Sequence, residues 1–219
     1  MEFAMNNMAR TEILATLRKG QKTTEAFPPR AEPWRAPDLS KEEKKEQFIK
    51  KLQNVFAVVI TTKEKDLSST LTSILQEYEI KKVIYGLNVW STPTIESLSV
   101  EKLPYSTSIE ELQSELFHGV DAGITTTKGG IAENGAMVLQ PSPEEPRTLS
   151  LVPPLHIALV KEQDLFSSLA EVIETQNWNT SMPTNTVLIA SPSRTADIEL
   201  VLAVGVHGPK KLIVVLIES

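Results

Sequence analysis

Apolar residues fall into two rhythms along this chain. From Ser40 onward, short continuous apolar runs alternate with segments whose apolar residues recur every three or four positions. The first rhythm marks buried strands and the second amphipathic helices. Strands are predicted over Phe56–Ile60, the pattern of a strand buried on both faces, and over Val83–Tyr85, Val120–Ile124, Ala136–Leu139, Leu149–Val152, His156–Val160, Thr186–Ala190 and Leu212–Ile217. Ser40 and Glu43 fit a capping box before a helix carrying Phe48, Ile49 and Leu52. A second helix opens at Asp66 and carries Leu67, Leu71, Ile74, Leu75 and Tyr78. A third follows a Ser108/Glu111 capping box, with Leu112 and Leu116. Asp164 can cap a helix carrying Leu165, Leu169, Val172 and Ile173, and Asp197 one running through Leu202. This alternation predicts an α/β layered domain with a largely parallel sheet flanked by helices. Residues 123–160 have strands without intervening helices, so a local antiparallel portion is expected there.

The first 39 residues follow neither rhythm. Thr11–Lys19 sets Ile13, Leu14 and Leu17 on one helical face, with Gly20 placed to stop it. Gln21–Leu39, with Pro28, Pro29, Pro33 and Pro37, reads as an extended connector. The division expected is an arm, 1–39, and an α/β domain, 40–219. The arm is either a disordered tail or a segment that docks on its own or a neighbouring subunit through Trp34, a route to a homo-oligomer.

Composition narrows the function. With 219 residues, 41% hydrophobic and 23% charged, the chain is an ordinary globular one with room for a sizeable core. A net charge of -6 argues against nucleic-acid binding. No apolar run is long enough for a membrane span, and the start lacks the apolar core of a signal peptide, so a cytoplasmic protein is expected. There is no cysteine, which excludes disulfides, thiolate metal sites, cysteine-ligated clusters and cysteine nucleophiles. Three widely spaced histidines suggest no metal site, and nothing calls for a cofactor.

Two polar loops hold the candidate chemistry. In Gly123–Gly135, Thr125, Lys128, Gly129 and Gly130 can offer hydroxyl, ammonium and backbone N–H donors to a phosphate or carboxylate, with Glu133 close by. The same residues equally describe a glycine-bearing turn between strands, and the order of lysine and glycines is not that of a P-loop. The second loop presents Ser191, Ser193, Arg194 and Thr195 before the helix expected at Asp197, where N–H groups and a guanidinium would attract an anion. The competing reading is that these serines and Asp197 only cap the helix. His207, between Gly205 and Gly208 and followed by Lys210, stands on an exposed turn where it can serve as acid, base or anion donor. His118 and His156 lie beside strand-like runs and are read as structural.

These blocks resemble a known family. Gly123-Ile-Thr with Gly130-Ile-Ala-Glu-Asn-Gly135, Leu151-Val-Pro-Pro-Leu-His-Ile157, Ser191-Pro-Ser-Arg-Thr-Ala-Asp-Ile-Glu199 and Gly205-Val-His-Gly-Pro-Lys210 are similar to the signature blocks of the LUD-domain, or lactate-utilisation protein C, family. Ala9–Leu14 and the proline-rich connector resemble that family's N-terminus. One departure is Asn134, where the family typically has threonine, so any role of that hydroxyl is not carried over. The resemblance implies a fold like that of the sugar-phosphate isomerases, glucosamine-phosphate deaminases and CoA-transferases. It also implies a cytoplasmic, non-redox role in oxidising L-lactate to pyruvate beside iron–sulfur partner subunits. An alternative is an enzyme or binding protein for a phosphorylated, CoA-linked or carboxylate molecule. Glu133 would then be nucleophile or base, with Lys128, Arg194 and His207 handling the anion. A third reading, an anion-sensing regulator, is weaker than either.

Overall fold

A computed structural model describes residues 2–20, 37, 39–196, 202–204 and 208–218 of the chain. It divides into two compact units, 1–35 and 36–219. The first holds helix α1, Glu2–Gly20, which begins well before the helix expected from Thr11. Ile13, Leu14 and Leu17 are exposed on it. The connector expected over 21–39, Trp34 included, lies almost wholly outside the described residues. Leu39, at its end, donates its N–H to Ser167 Oγ and packs against the core of the second unit.

The second unit is built on a six-stranded sheet that is parallel throughout. Its strands are β1 (Val58–Lys63), β2 (Lys82–Tyr85), β3 (Glu101–Pro104), β4 (Ala122–Thr126), β7 (Leu155–Lys161) and β12 (Lys211–Glu218), in the order β1-β12-β7-β4-β2-β3. A second, mixed sheet holds β5 (Gly129–Ile131), β6 (Ala136–Leu139), β8 (Leu165–Phe166) and β9 (Val187–Ile189), ordered β8-β5-β6-β9. Its β5–β6 and β6–β9 pairs are antiparallel, which is the antiparallel portion the sequence implied. A short hairpin pairs β10 (Arg194–Ala196) with β11 (Leu202–Val204).

The period of two along the central strands assigns each face. On β12, Ile213, Val215 and Ile217 join one core cluster while Leu212, Val214 and Leu216 join another. The first cluster is closed by α3 (Leu67–Glu77), through Leu67, Leu71, Ile74 and Leu75, and by α4 (Thr92–Glu96). The second lies between the two sheets. There α2 (Lys41–Asn54) inserts Phe48 and Leu52 against Met137 and Leu139 of the mixed sheet. The outer face of that sheet, Ile131, Ala136 and Val138, packs on Val172 of α7 (Leu169–Thr175) and on Trp178. The order of layers is therefore helices, parallel sheet, α2 with the mixed sheet, and α7.

Local signals explain most boundaries. Ser40 and Glu43 form the reciprocal capping box expected of them. The Ser108 box does not form: α5 (Ile109–Ser114) starts without a side-chain cap and runs into a π-turn over Glu115–Gly119. Leu149–Val152 is not a strand, because α6 (Thr148–Leu151) is helical there, with Leu149 and Ser150 buried. Leu165 and Phe166 form β8, and Ser168, not Asp164, caps the helix that follows. β1 is an edge strand with partly exposed residues, and Phe56 stands outside it with φ 66°, which overturns the expectation of burial on both faces. Its β-rich apolar composition reads the same on an edge as in the centre.

Candidate functional site

Among the described residues, two places stand out as able to hold chemistry, and one of them is open. β2 leaves for β3 on one side while β4 leaves for β7 on the other, so the carboxyl ends of β2 and β4 form the switch point where open α/β sheets usually bind ligands. Here that place is filled by the chain's own segment 140–147. The Leu87 N–H donates to Glu144 O at 3.1 Å, and a Cβ on Gly86 would come within 2.7 Å of that same oxygen. Glu145 accepts from Thr126 N–H at 2.8 Å and from the Thr126 hydroxyl at 2.6 Å, as an incoming anion would. Burial pushes the Glu145 carboxyl up, against the two Thr126 hydrogen bonds and the Lys128 charge.

The open site is a cavity of about 510 Å³ at the opposite, amino ends of β7 and β12. Among the described residues, its walls come from Ser150–Leu151 at the end of α6, His156 and Leu212 on the two parallel strands, Val187–Ser193 from β9 onward, and Gly208–Pro209. The last two loops are tied together, since Ser193 N–H donates to Pro209 O at 2.9 Å and Gly208 lies against Ser193. Lys210 donates its N–H to Pro154 O at 2.8 Å, which ties the Gly208–Pro209 turn to the Pro153-Pro154 corner.

His156 is the polar residue in the cavity floor. It is fully buried, and its Nε2 lies 2.8 Å from the hydroxyl of Thr125 on β4. Gly123 pairs with His156 in register, so Thr125, two residues on, lies on the same face of the sheet. Nδ1 has no partner. If Nε2 accepts from Thr125, Nδ1–H is left as an unpaired donor; if Nε2 donates, the Thr125 hydroxyl is. Either way a buried donor lacks an acceptor, a state that costs about 1–3 kcal/mol. Burial also lowers the imidazole pKa to about 3, so the ring is neutral at neutral pH.

The structure sorts the residues expected from sequence. Ser191 and Ser193 line the cavity, and Thr125 reaches it through His156. Arg194 and Thr195 follow directly on Ser193 and lie on strand β10, and Leu202 is also in a strand. The helix expected from Asp197 through Leu202 therefore does not form at its Leu202 end, while Asp197 and His207 lie outside the described residues. Lys210 is exposed and does not line the cavity. Lys128 is exposed at the start of β5, and Glu133 sits in the turn between β5 and β6; neither lines the cavity. Gly129 and Gly130 belong to β5 rather than to an open anion loop. Added Cβ atoms would come within 2.5 Å of Phe166 and 2.7 Å of Phe48, so tight sheet packing explains both glycines. Asn134 Oδ1 accepts from Ala136 N–H at 3.0 Å, closing the turn that Gly135 completes with φ 71°.

Sequence reasoning missed His156 and Glu145. His156 sits inside an apolar run, where a histidine reads as core, and its tie to Thr125 joins strands far apart in sequence. Glu145 lies in a proline-rich acidic stretch that carries no motif.

A parallel sheet backed by a second mixed sheet, with a cavity opening between them, defines an α/β domain. The LUD domain model matches residues 45–217, and the chain belongs to that family. The Neisseria meningitidis protein NMB1437 is 41% identical over 120 residues, 54% of this chain and 52% of that one, so the aligned part spans about half of that relative. The lactate utilization protein C of Halalkalibacterium halodurans is 26% identical over 197 residues, 83% of this chain and 84% of the relative. The crystal structure of a DUF162 family protein from Deinococcus radiodurans superposes with a TM-score of 0.63 at 22% identity, over 82% of this chain and 99% of that one; at that identity the likeness shows the fold. Among the described residues, no helix is long and apolar enough to cross a membrane, and no cluster of potential metal ligands is found.

Proposed function

We propose that the protein is a non-redox subunit of an L-lactate-oxidising system, acting beside partner proteins that carry iron–sulfur clusters, and that the cavity over His156 holds an organic acid. The observation that supports this most is convergence. The 151–157 block, the Ser191 loop and the Gly208–Pro209 turn, far apart in sequence, meet around one cavity. Relatives aligned over 80% or more of their own length carry the name lactate utilization protein C. A neutral imidazole beside serine hydroxyls suits an oxygen-rich ligand that is bound and oriented, not one attacked by a charged nucleophile. The cysteine-free chain fits a division of labour in which redox clusters reside on other subunits.

The alternative enzyme, with Glu133 as nucleophile and Lys128, Arg194 and His207 gathering an anion, finds less support. Among the described residues, Glu133 and Lys128 are not brought to the cavity. Affinity purification of the intact protein from lactate-grown cells, with iron and sulfide assayed in the eluate, tests the proposal. Stoichiometric co-elution of iron–sulfur proteins is expected. Recovery of the chain alone, under conditions where lactate oxidation is active in the lysate, would count against it.

A further inference from the structure

The cavity is much larger than lactate. Lactate has six non-hydrogen atoms, and at the ~30 Å³ that a water molecule takes up in the liquid, six such volumes come to roughly 180 Å³. The cavity offers about 510 Å³, within the range of about 300–1,000 Å³ typical of sites that enclose larger metabolites. Its walls are also divided by chemistry. Val187 and Ile189 of β9, with Leu151 and Leu212 from the other segments, supply apolar surface, while Ser150, His156, Ser191 and Ser193 supply polar atoms.

We propose that the ligand of this cavity is an organic acid with a carbon chain several atoms longer than lactate's, its apolar chain lying along β9 and its oxygen-bearing head at Ser193, over the floor that holds His156. The proposal rests on reading this cavity as the ligand site, and it names the ligand's class. The hydrogen bonds already made choose the head-group partner. Ser150 Oγ donates to Arg147 O at 3.0 Å and Ser191 Oγ to Pro192 O at 3.0 Å, so two of the three serine hydroxyls have spent their proton on the backbone. That leaves the Ser193 hydroxyl, above the buried Thr125–His156 pair of the floor, to meet ligand oxygens. A three-carbon acid bound there would leave the β9 wall against water. A longer chain removes that apolar surface from water, with a gain of about 0.8 kcal/mol per methylene.

The test is calorimetric titration of the full chain with a homologous series of 2-hydroxy acids: lactate, 2-hydroxybutanoate, 2-hydroxyhexanoate and 2-hydroxyoctanoate. Affinity is expected to rise about fourfold per added methylene, the conversion of 0.8 kcal/mol, with one molecule bound per chain. Ile189→Ala should weaken the eight-carbon acid more than lactate. Ser193→Ala should weaken every member by a similar factor, about three- to tenfold for one lost hydrogen bond. An affinity that is flat with chain length or greatest for lactate overturns the proposal, as do absence of binding and a gain that does not saturate at one site. Flat affinity with lactate bound would leave the lactate reading standing. A rising series with no iron–sulfur partner recovered would remove the lactate reading and keep this one.

Discussion

Acid should destabilise this protein through His156 before its carboxylates titrate. The imidazole is fully buried, and its pKa falls to about 3 because burial disfavours the charged ring. In the unfolded chain it returns to the ordinary value near 6.5. Between these two values the unfolded state holds a proton that the folded state does not, so stability is full above about pH 6.5 and falls as pH drops toward 3. From pH 7.5 to 5.0, one such group lowers unfolding free energy by about 2 kcal/mol, at roughly 1.4 kcal/mol per pH unit in the steep part. With a urea m-value of about 2–3 kcal/mol/M, the midpoint should move down by about 0.7–1 M. Burial raises the Glu145 and Asp164 carboxyls, which contribute with the opposite sign, so the comparison that isolates the histidine is the His156→Asn variant. That variant should start lower and lose most of the pH dependence. Equal midpoints for the wild type at pH 7.5 and 5.0, or the same slope in both proteins, would refute a buried neutral imidazole.

Thr125→Val keeps the side chain's shape but removes the partner that His156 Nε2 has among the described residues, and should cost about 1–3 kcal/mol in urea unfolding. Gly123→Ala should be far worse, because its Cβ would lie 2.0 Å from the Leu149 carbonyl oxygen where α6 crosses β4. Loss of soluble expression or a strongly lowered melting temperature is expected, and a near-wild-type melting temperature would contradict that packing. Ser40→Ala removes one half of the α2 capping box and should cost about 1 kcal/mol. Because Ser40 is exposed and distant in sequence from the cavity loops, ligand titrations should be unchanged in that variant.

What could be read from the sequence was what local chemistry decides. The Ser40 capping box, the 3.6-residue rhythm from Leu67 to Leu75 and the two-sided apolar run at Leu212–Ile217 each produced the element expected. What failed depended on distant partners. Leu149–Val152 is as apolar as a strand, but its place between β4 and the Pro153-Pro154 corner makes it helical. Arg194–Ala196 has the polar, cap-like sequence of a helix start, yet it pairs with Leu202–Val204 as a hairpin. The cavity was legible only as loops: Ser191 and Ser193 were singled out, but the floor was not. His156 becomes notable only when register brings Thr125 beside it and leaves Nδ1 unpaired. The glycines of β5 show the converse: the run that offers backbone N–H donors in the sequence also packs so close to Phe48 and Phe166 that a Cβ would not fit.

The most direct test of the cavity as ligand site is the nitrogen spectrum of the histidine rings in the ¹⁵N-labelled protein, recorded while a 2-hydroxy acid is titrated to saturation. Without ligand, His156 should show a neutral ring at pH 7. With ligand, its ring resonances should shift along the calorimetric binding curve while those of His118 stay in place. Saturable binding that leaves the His156 resonances unmoved would put the ligand elsewhere and contradict the account.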